Sequence, residues 1–276
     1  MRIHYGFDIE LSLSQPTTVV TLMDVHSSRS GDVIQERSLR VNQNILTQKF
    51  QDPLGNTTRR LAAEAGLLSL RLDGVILDTG LPDRVNASAD SVPVAELPAD
   101  AMPFLMPSRY CESDLLSDFA WTTFGGISGG WAKVQAICDF VQDRLQFSYP
   151  NARETRTAAQ ALEERSGVCR DFAHLAIALC RAVNIPARFC NGYLGDIGVS
   201  DDPAPMDFNA WFEVFLEGGW YTFDARHNEP RIGRILISRG RDATDVAMIT
   251  SFGPHSLTRF VIITEEMHDV ATLAAE

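Results

Sequence analysis

"ERSGVCRDFAHLAIALCRAVNIPARF", residues 164 to 189, is the stretch whose reading decides the fold. From Phe172 the apolar residues recur as Phe172, Leu175, Ala176, Leu179 and Val183, the i, i+3, i+4, i+7 spacing of one buried helical face. Ser166 or Gly167 can cap the start, Asp171 stands in the first turn where the dipole favours an anion, and Asn184 before Ile185-Pro186 is a stop. Cys169 therefore falls in the first turn, among unpaired backbone N–H groups. Such a setting can draw a thiol pKa from about 8.5 into the range of roughly 3.5 to 7.5. The Gly before it and the charged Arg170-Asp171 after it point to access, and hence to a nucleophile. Cys180 and Cys190, in apolar surroundings, read as core residues.

A cysteine nucleophile needs a base, and the base needs an orienting group. Downstream, "DFNAWFEVFLEGGWYTFDARHN", residues 207 to 228, reads as two strands joined around Gly218-Gly219. If "LEGG" is a four-residue loop, Phe215 pairs with Trp220, and Asp224 lies opposite Trp211 and diagonal to Asn209 on the same face. A two-residue Gly-Gly loop keeps the shared face but moves Asn209 and Asp224 apart. Trp211 and Trp220 read first as packing residues. His227, three positions after Asp224 on an extended strand, points to the other face, and His174 lies about 140° round the helix from Cys169. Both read as structural or surface groups, and His4, His26, His255 and His268 carry no signal.

Around this centre the chain changes character. The first ninety or so residues alternate β-rich runs such as "TTVVTLMDV" and "VILDTG" with turns such as "DPLGN" and "LDG", which predicts a β-sandwich over residues 1–92. Residues 93–110 carry prolines at 93, 98, 103 and 107 and predict an extended connector. Over 111–276 the pattern turns helical first: Trp131, Val134, Ile137, Val141 and Leu145 mark one helix, and Thr157 with Gln160 forms a capping-box signature for a short second one. Strands follow at 187–194, 208–216 and 220–224. No internal repeat or low-complexity run interrupts them.

Composition narrows the functional classes. The chain has 276 residues, 45% of them hydrophobic, enough for more than one core, and a formal charge of -12 without any long basic run. Nucleic acid and anionic membrane are therefore poor partners. The first twenty residues lack a continuous apolar segment and no later stretch approaches a span, so a cytoplasmic protein is expected. Five cysteines without close paired spacing indicate neither a disulfide framework nor a zinc site. The arginines of "RHNEPRIGRILISRGRD" read as partners for surplus carboxylates rather than as an anion clamp.

"SGVCRDFAHLAIALCRAVNIPARF" followed by "FNAWFEVFLEGGWYTFDARHNEPRIGR" resembles the bacterial transglutaminase-like superfamily, whose members are often described as candidate cysteine proteases. "QDPLGN" resembles the turn of that family's N-terminal β-domain, and "DVAMITSFGPHSLTRFVI" its tail, so the likeness covers most of the chain. Family members carry a cysteine at a helix start, a histidine opening an "H-A-W-x-E-V" strand, and an aspartate closing a "W-x-x-F-D" strand. The resemblance puts the nucleophile on Cys169 and the orienting acid on Asp224, while the histidine position falls on Asn209, which has no titratable nitrogen. It also places Trp211 near the site, and Tyr149 is the residue chosen as an upstream oxyanion donor beside the Cys169 N–H. The fold implied is α+β: an N-terminal β-sandwich followed by a papain-like transglutaminase core. Implied too are thiol acyl transfer on a peptide or protein amide, resolved by water, and no metal or organic cofactor. The alternative is a catalytically silent module that keeps the cleft and binds peptides.

Overall fold

The computed structural model describes residues 1–200 and 205–268. Seven strands come first: β1 (Arg2–Leu13), β2 (Thr17–Thr21), β3 (Val33–Glu36), β4 (Arg40–Val41), β5 (Thr47–Gln51), β6 (Thr57–Ala63) and β7 (Gly66–Leu77). Strict alternation explains the long ones. In β1 every second side chain, Ile3, Tyr5, Phe7, Ile9, Leu11 and Leu13, is at most 3% exposed, as a strand with one face on a core requires. Leu68, Leu70, Leu72 and Ile76 repeat the pattern in β7, the antiparallel neighbour of β1. A second sheet contains β2, β6 and β5, and both sheets feed one apolar cluster, which makes the module a sandwich.

Residues 78–116 then run without regular strands or α-helices, apart from two short 3-10 turns at 94–96 and 102–105. The stretch is not loose. Phe104 is buried and meets Trp220 edge-on, with ring centres 5.5 Å apart.

The helical half comprises α1 (Ser117–Phe124), α2 (Gly130–Arg144), α3 (Ala158–Glu164) and α4 (Cys169–Ala182), with the two-residue strands β8 (Gln146–Phe147) and β9 (Ser166–Gly167) between them. The expected capping box opens α3: the Thr157 hydroxyl accepts from the Gln160 N–H at 3.4 Å while the Gln160 side chain accepts from the Thr157 N–H at 3.2 Å. Helix α4 is the centre of the core. Every side chain from Asp171 to Ala182 is buried, and Asn184 ends the run with a φ of 63°. Against α4 lies an antiparallel sheet in the order β12-β11-β10-β13, formed by β10 (Ala187–Tyr193), β11 (Asn209–Leu216), β12 (Gly219–Phe223) and β13 (Ile235–Gly240). Ala210, Phe212 and Val214 of β11 belong to the cluster around α4, so Asn209, Trp211 and Glu213 point to the opposite face.

The chain's last described segment corrects the 111–276 boundary. β14 (Ile249–Ser251) pairs with β2, and β15 (His255–Met267) pairs with β1 over its whole length, from Arg2↔Met267 to Leu13↔His255. Residues 249–267 thus complete the two sheets of the β-module rather than the helical core. Long-range strand pairing leaves no local pattern to read. Among the described residues, no helix is long and apolar enough to cross a membrane.

Candidate active site

Cys169 is the first residue of α4, as the periodicity predicts, but the cap differs from expectation. Ser166 and Gly167 are occupied in β9, paired in parallel with Gln146 and Phe147. The cap falls on extended Val168, whose N–H donates to the Asp171 carboxylate at 3.0 Å. Asp171 is 1% exposed and also accepts from Arg156 at 3.0 Å, so an ion pair below the helix start holds the turn. A Cβ on Gly167 would stand 2.6 Å from the Asp171 Cβ, which explains the glycine before the cysteine.

Of the five cysteines only Cys169 is partly exposed. Burial nevertheless pushes its thiol up to about 11, and the neighbouring Asp207 carboxylate pushes the same way; Arg226 and a hydrogen bond with the Ala210 backbone oppose them and lose. The helix start alone does not make this thiol acidic, contrary to the expectation from the dipole. A half-unit of charge at a helix end is a smaller effect than removal of a thiolate from water.

The hairpin register agrees with the expected Phe215↔Trp220 pair and runs one step further to Leu216↔Gly219. The turn is thus Glu217-Gly218, with Gly218 at φ 86° and Gly219 at 118°, values that other residues rarely adopt. Asn209 opens β11. Its amide donates to the carbonyls of Leu194 (3.4 Å) and Asp207 (3.3 Å) and accepts from the Arg226 guanidinium at 3.3 Å.

Asp224 is 5% exposed and crowded with donors: the backbone N–H groups of Arg226 (3.0 Å) and His227 (3.1 Å), the His227 Nδ1 (2.9 Å) and the Arg234 guanidinium (3.0 Å). Burial works against its charge, but Arg234 and the His227 hydrogen bond outweigh it and hold the carboxyl far below the usual range. His227 is therefore not on the far side of a strand. β12 ends at Phe223, and Asp224 to His227 form a tight turn in which the alternation rule has no force.

Two hollows meet at Asn209. A cleft of about 630 Å³ is lined by Cys169, Asp207 and Asn209 together with apolar side chains. A neighbouring hollow of about 290 Å³ is lined by Tyr149, Asp207, Asn209, Arg226 and His227. Tyr149 lies in the second one, where its hydroxyl donates to Asp207 at 3.2 Å and is raised to about 12 by burial and that carboxylate. Trp211 lines neither. It shares the sheet face of Asn209 but lies two residues along β11 under the Arg234 guanidinium, 5.0 Å from the ring centre, so it supports the partner of Asp224 rather than the thiol. Asp207, which no motif marks, is the residue missed; a carboxylate two positions before Asn209 shares its face on an extended chain.

His174 is structural, as expected: fully buried, stacked 5.2 Å from Tyr110, its Nε2 accepting from the Ala243 N–H at 3.1 Å. Among the described residues, no group of three or more His, Cys, Asp or Glu side chains is placed to hold a metal ion.

Residues 119–225 match the family model of the Transglutaminase-like superfamily. A candidate cysteine protease from Cytophaga hutchinsonii, known from its crystal structure, is 33% identical and superposes over 98% of this chain and 91% of its own with a TM-score of 0.83. An uncharacterized protein of Mycobacterium leprae is 37% identical over 117 residues, which are 41% of this chain and 42% of that one. An uncharacterized protein of Mycobacterium tuberculosis is 33% identical over 115 residues, 36% and 35% of the two chains. The matched segments thus span less than half the length of these curated relatives.

Proposed function

The chain belongs to the transglutaminase-like superfamily, and from that membership we propose thiol acyl transfer on a peptide or protein amide, with water as the second acceptor. Cys169 sulfur attacks the carbonyl carbon, the amine departs with a proton, and water hydrolyses the resulting thioester to a carboxylic acid and the free thiol. The Cys169 N–H, which has no intrahelical partner as the first residue of α4, is the donor assigned to the developing oxyanion. Asn209 cannot accept the thiol proton. Asp207 can: its carboxylate lines the same cleft, and burial raises its affinity for a proton. Arg234 keeps Asp224 ionised, and Asp224 anchors the turn from which Arg226 reaches Asn209.

One observation carries this reading. A single partly exposed thiol stands at a helix start inside a cleft whose wall also holds Asn209, where the resemblance expects a base. A second reading, a silent peptide-binding module, is favoured by the thiol's high pKa and by an Asn209 amide already engaged by three partners. Intact-mass measurement after incubation with an activated acyl ester separates the two. Acyl transfer requires a transient adduct on Cys169 that is absent from Cys169→Ala; a binder shows none.

A further inference from the structure

The cleft at Cys169, about 630 Å³, has mostly apolar walls. The β-module supplies Ile9, Met23, Ile249 and Phe260, and the core supplies Phe189 and Val246. All but Ile249 and Phe260 are at most 3% exposed, so these walls are part of the packed interior rather than loose surface. Part of the polar lining is already engaged, while Arg170, also in the lining, has its Nε buried without a hydrogen-bond partner. Asn191 donates to the Val246 carbonyl at 3.0 Å and accepts from the Ser238 hydroxyl at 2.6 Å, Asp207 accepts from Tyr149, and Asn209 has its three partners.

Resting on the acyl-transfer reading above, we infer that this cleft is a specificity pocket for an acyl group bearing a large apolar side chain next to the carbonyl that Cys169 attacks. At about 630 Å³ it falls within the size range of small-molecule sites and exceeds what one methyl or amide group fills. An apolar acyl group there gains by leaving water, and each buried methylene favours binding by about fourfold. A glutamine-like acyl donor gains less: its carboxamide gives up hydrogen bonds to water on entering among apolar walls, where a hydrocarbon chain of equal length gives up none. The selection thus favours an apolar acyl donor over a polar one. Because Met23 and Phe260 belong to the β-module, that module is part of the selection and not only a support.

The test uses the full chain and p-nitrophenyl esters with acyl chains of two, four, six and eight carbons, plus one six-carbon chain ending in a carboxamide. The rate of Cys169 acylation is read by intact mass, with Cys169→Ala as blank, and each rate is divided by that with free cysteine to remove intrinsic reactivity. The expected result is a rise of about fourfold per methylene until the cleft is filled, with the carboxamide at least tenfold slower than the hydrocarbon chain of equal length. Ala247→Trp, placed in the wall, should flatten the rise. Phe260→Ser, at a residue already 39% exposed and so tolerant of change, should flatten it too. If Cys169 is acylated at equal corrected rates whatever the chain, the apolar pocket is wrong and acyl transfer stands. If no ester acylates Cys169, acyl transfer itself is overturned and the pocket with it.

Discussion

The Nδ1 of His227 lies 2.9 Å from the Asp224 Oδ2, so the carboxylate expected to orient a base already holds an imidazole. That imidazole comes from the turn after β12, three residues along the chain, and not from the strand position occupied by Asn209. Arg226 ties the two places together: its backbone N–H donates to Asp224 at 3.0 Å and its guanidinium to Asn209 at 3.3 Å.

This arrangement makes a specific demand on any attempt to restore a triad. Asn209→His alone introduces a ring that competes with His227 for Asp224; Asn209→His with His227→Asn removes the competitor. A positioned general base contributes typically 10²- to 10⁴-fold. We expect the double variant to hydrolyse an activated ester at least 10²-fold faster than the natural chain, with the single variant between them. Equal rates in all three proteins would show that the 209 side chain does not reach the thiol.

Replacement of Asp207 by Asn should move two measurements in opposite directions. Loss of the nearby carboxylate lowers the Cys169 thiol from about 11, so iodoacetamide should label Cys169 several-fold faster at pH 8. If Asp207 takes the thiol proton, ester turnover should fall by 10²-fold or more at the same pH. A variant that is faster in both assays would mean that Asp207 only suppresses the thiolate.

Much of the machinery was legible in the amino-acid order, and the boundary between what was and what was not is physical. The helix behind Cys169, the capping box at Thr157 and the Phe215↔Trp220 register follow from spacing within a few residues. The Asp224–Arg234 pair does not, because it depends on β13 lying in the same sheet at β10's other edge. Nor does the role of His227, which depends on where a strand stops. The high thiol pKa escaped for a third reason: burial is a property of the assembled core, while the helix dipole is readable from the helix alone.

Burial of His174 predicts a pH dependence of stability. Burial, with Arg170 and Arg181 nearby, lowers its folded pKa to about 3, well below the ordinary 6.5. The unfolded chain therefore binds a proton below about pH 6.5 that the folded chain refuses until about pH 3, and stability falls as pH drops through that window. The slope approaches about 1.4 kcal/mol per pH unit. Urea unfolding at pH 7, 6 and 5 should show it, and His174→Gln should reduce it, leaving the share of His26, whose pKa burial also lowers; an unchanged slope in the variant would assign the effect elsewhere.

Asp224→Ala should cost about 3 kcal/mol in the same assay, because the N–H groups of Arg226 and His227 lose their acceptor and Arg234, 8% exposed, keeps only its pairing with Asp83 at 2.9 Å. Asp224 contributes in the other protonation direction from a basic group. Its folded pKa is depressed, so its stabilisation is complete above about pH 5 and is lost as pH falls below the ordinary carboxylate range. A variant within 1 kcal/mol of the unsubstituted chain would show that Asp83 alone compensates Arg234.

The pairing of β1 with β15 sets an order of events during synthesis. Arg2 waits for Met267, and at 5 to 20 residues per second the delay is on the order of 10 to 50 s. Meanwhile β1 can zip to β7 alone, with its other edge open to any passing strand. The wall of the Cys169 cleft is incomplete for the same interval, since Ile249 and Phe260 arrive with the final two strands. A nascent chain on the ribosome thus carries the thiol long before it carries the pocket, and limited proteolysis of chains stalled before and after residue 267 would time the closure.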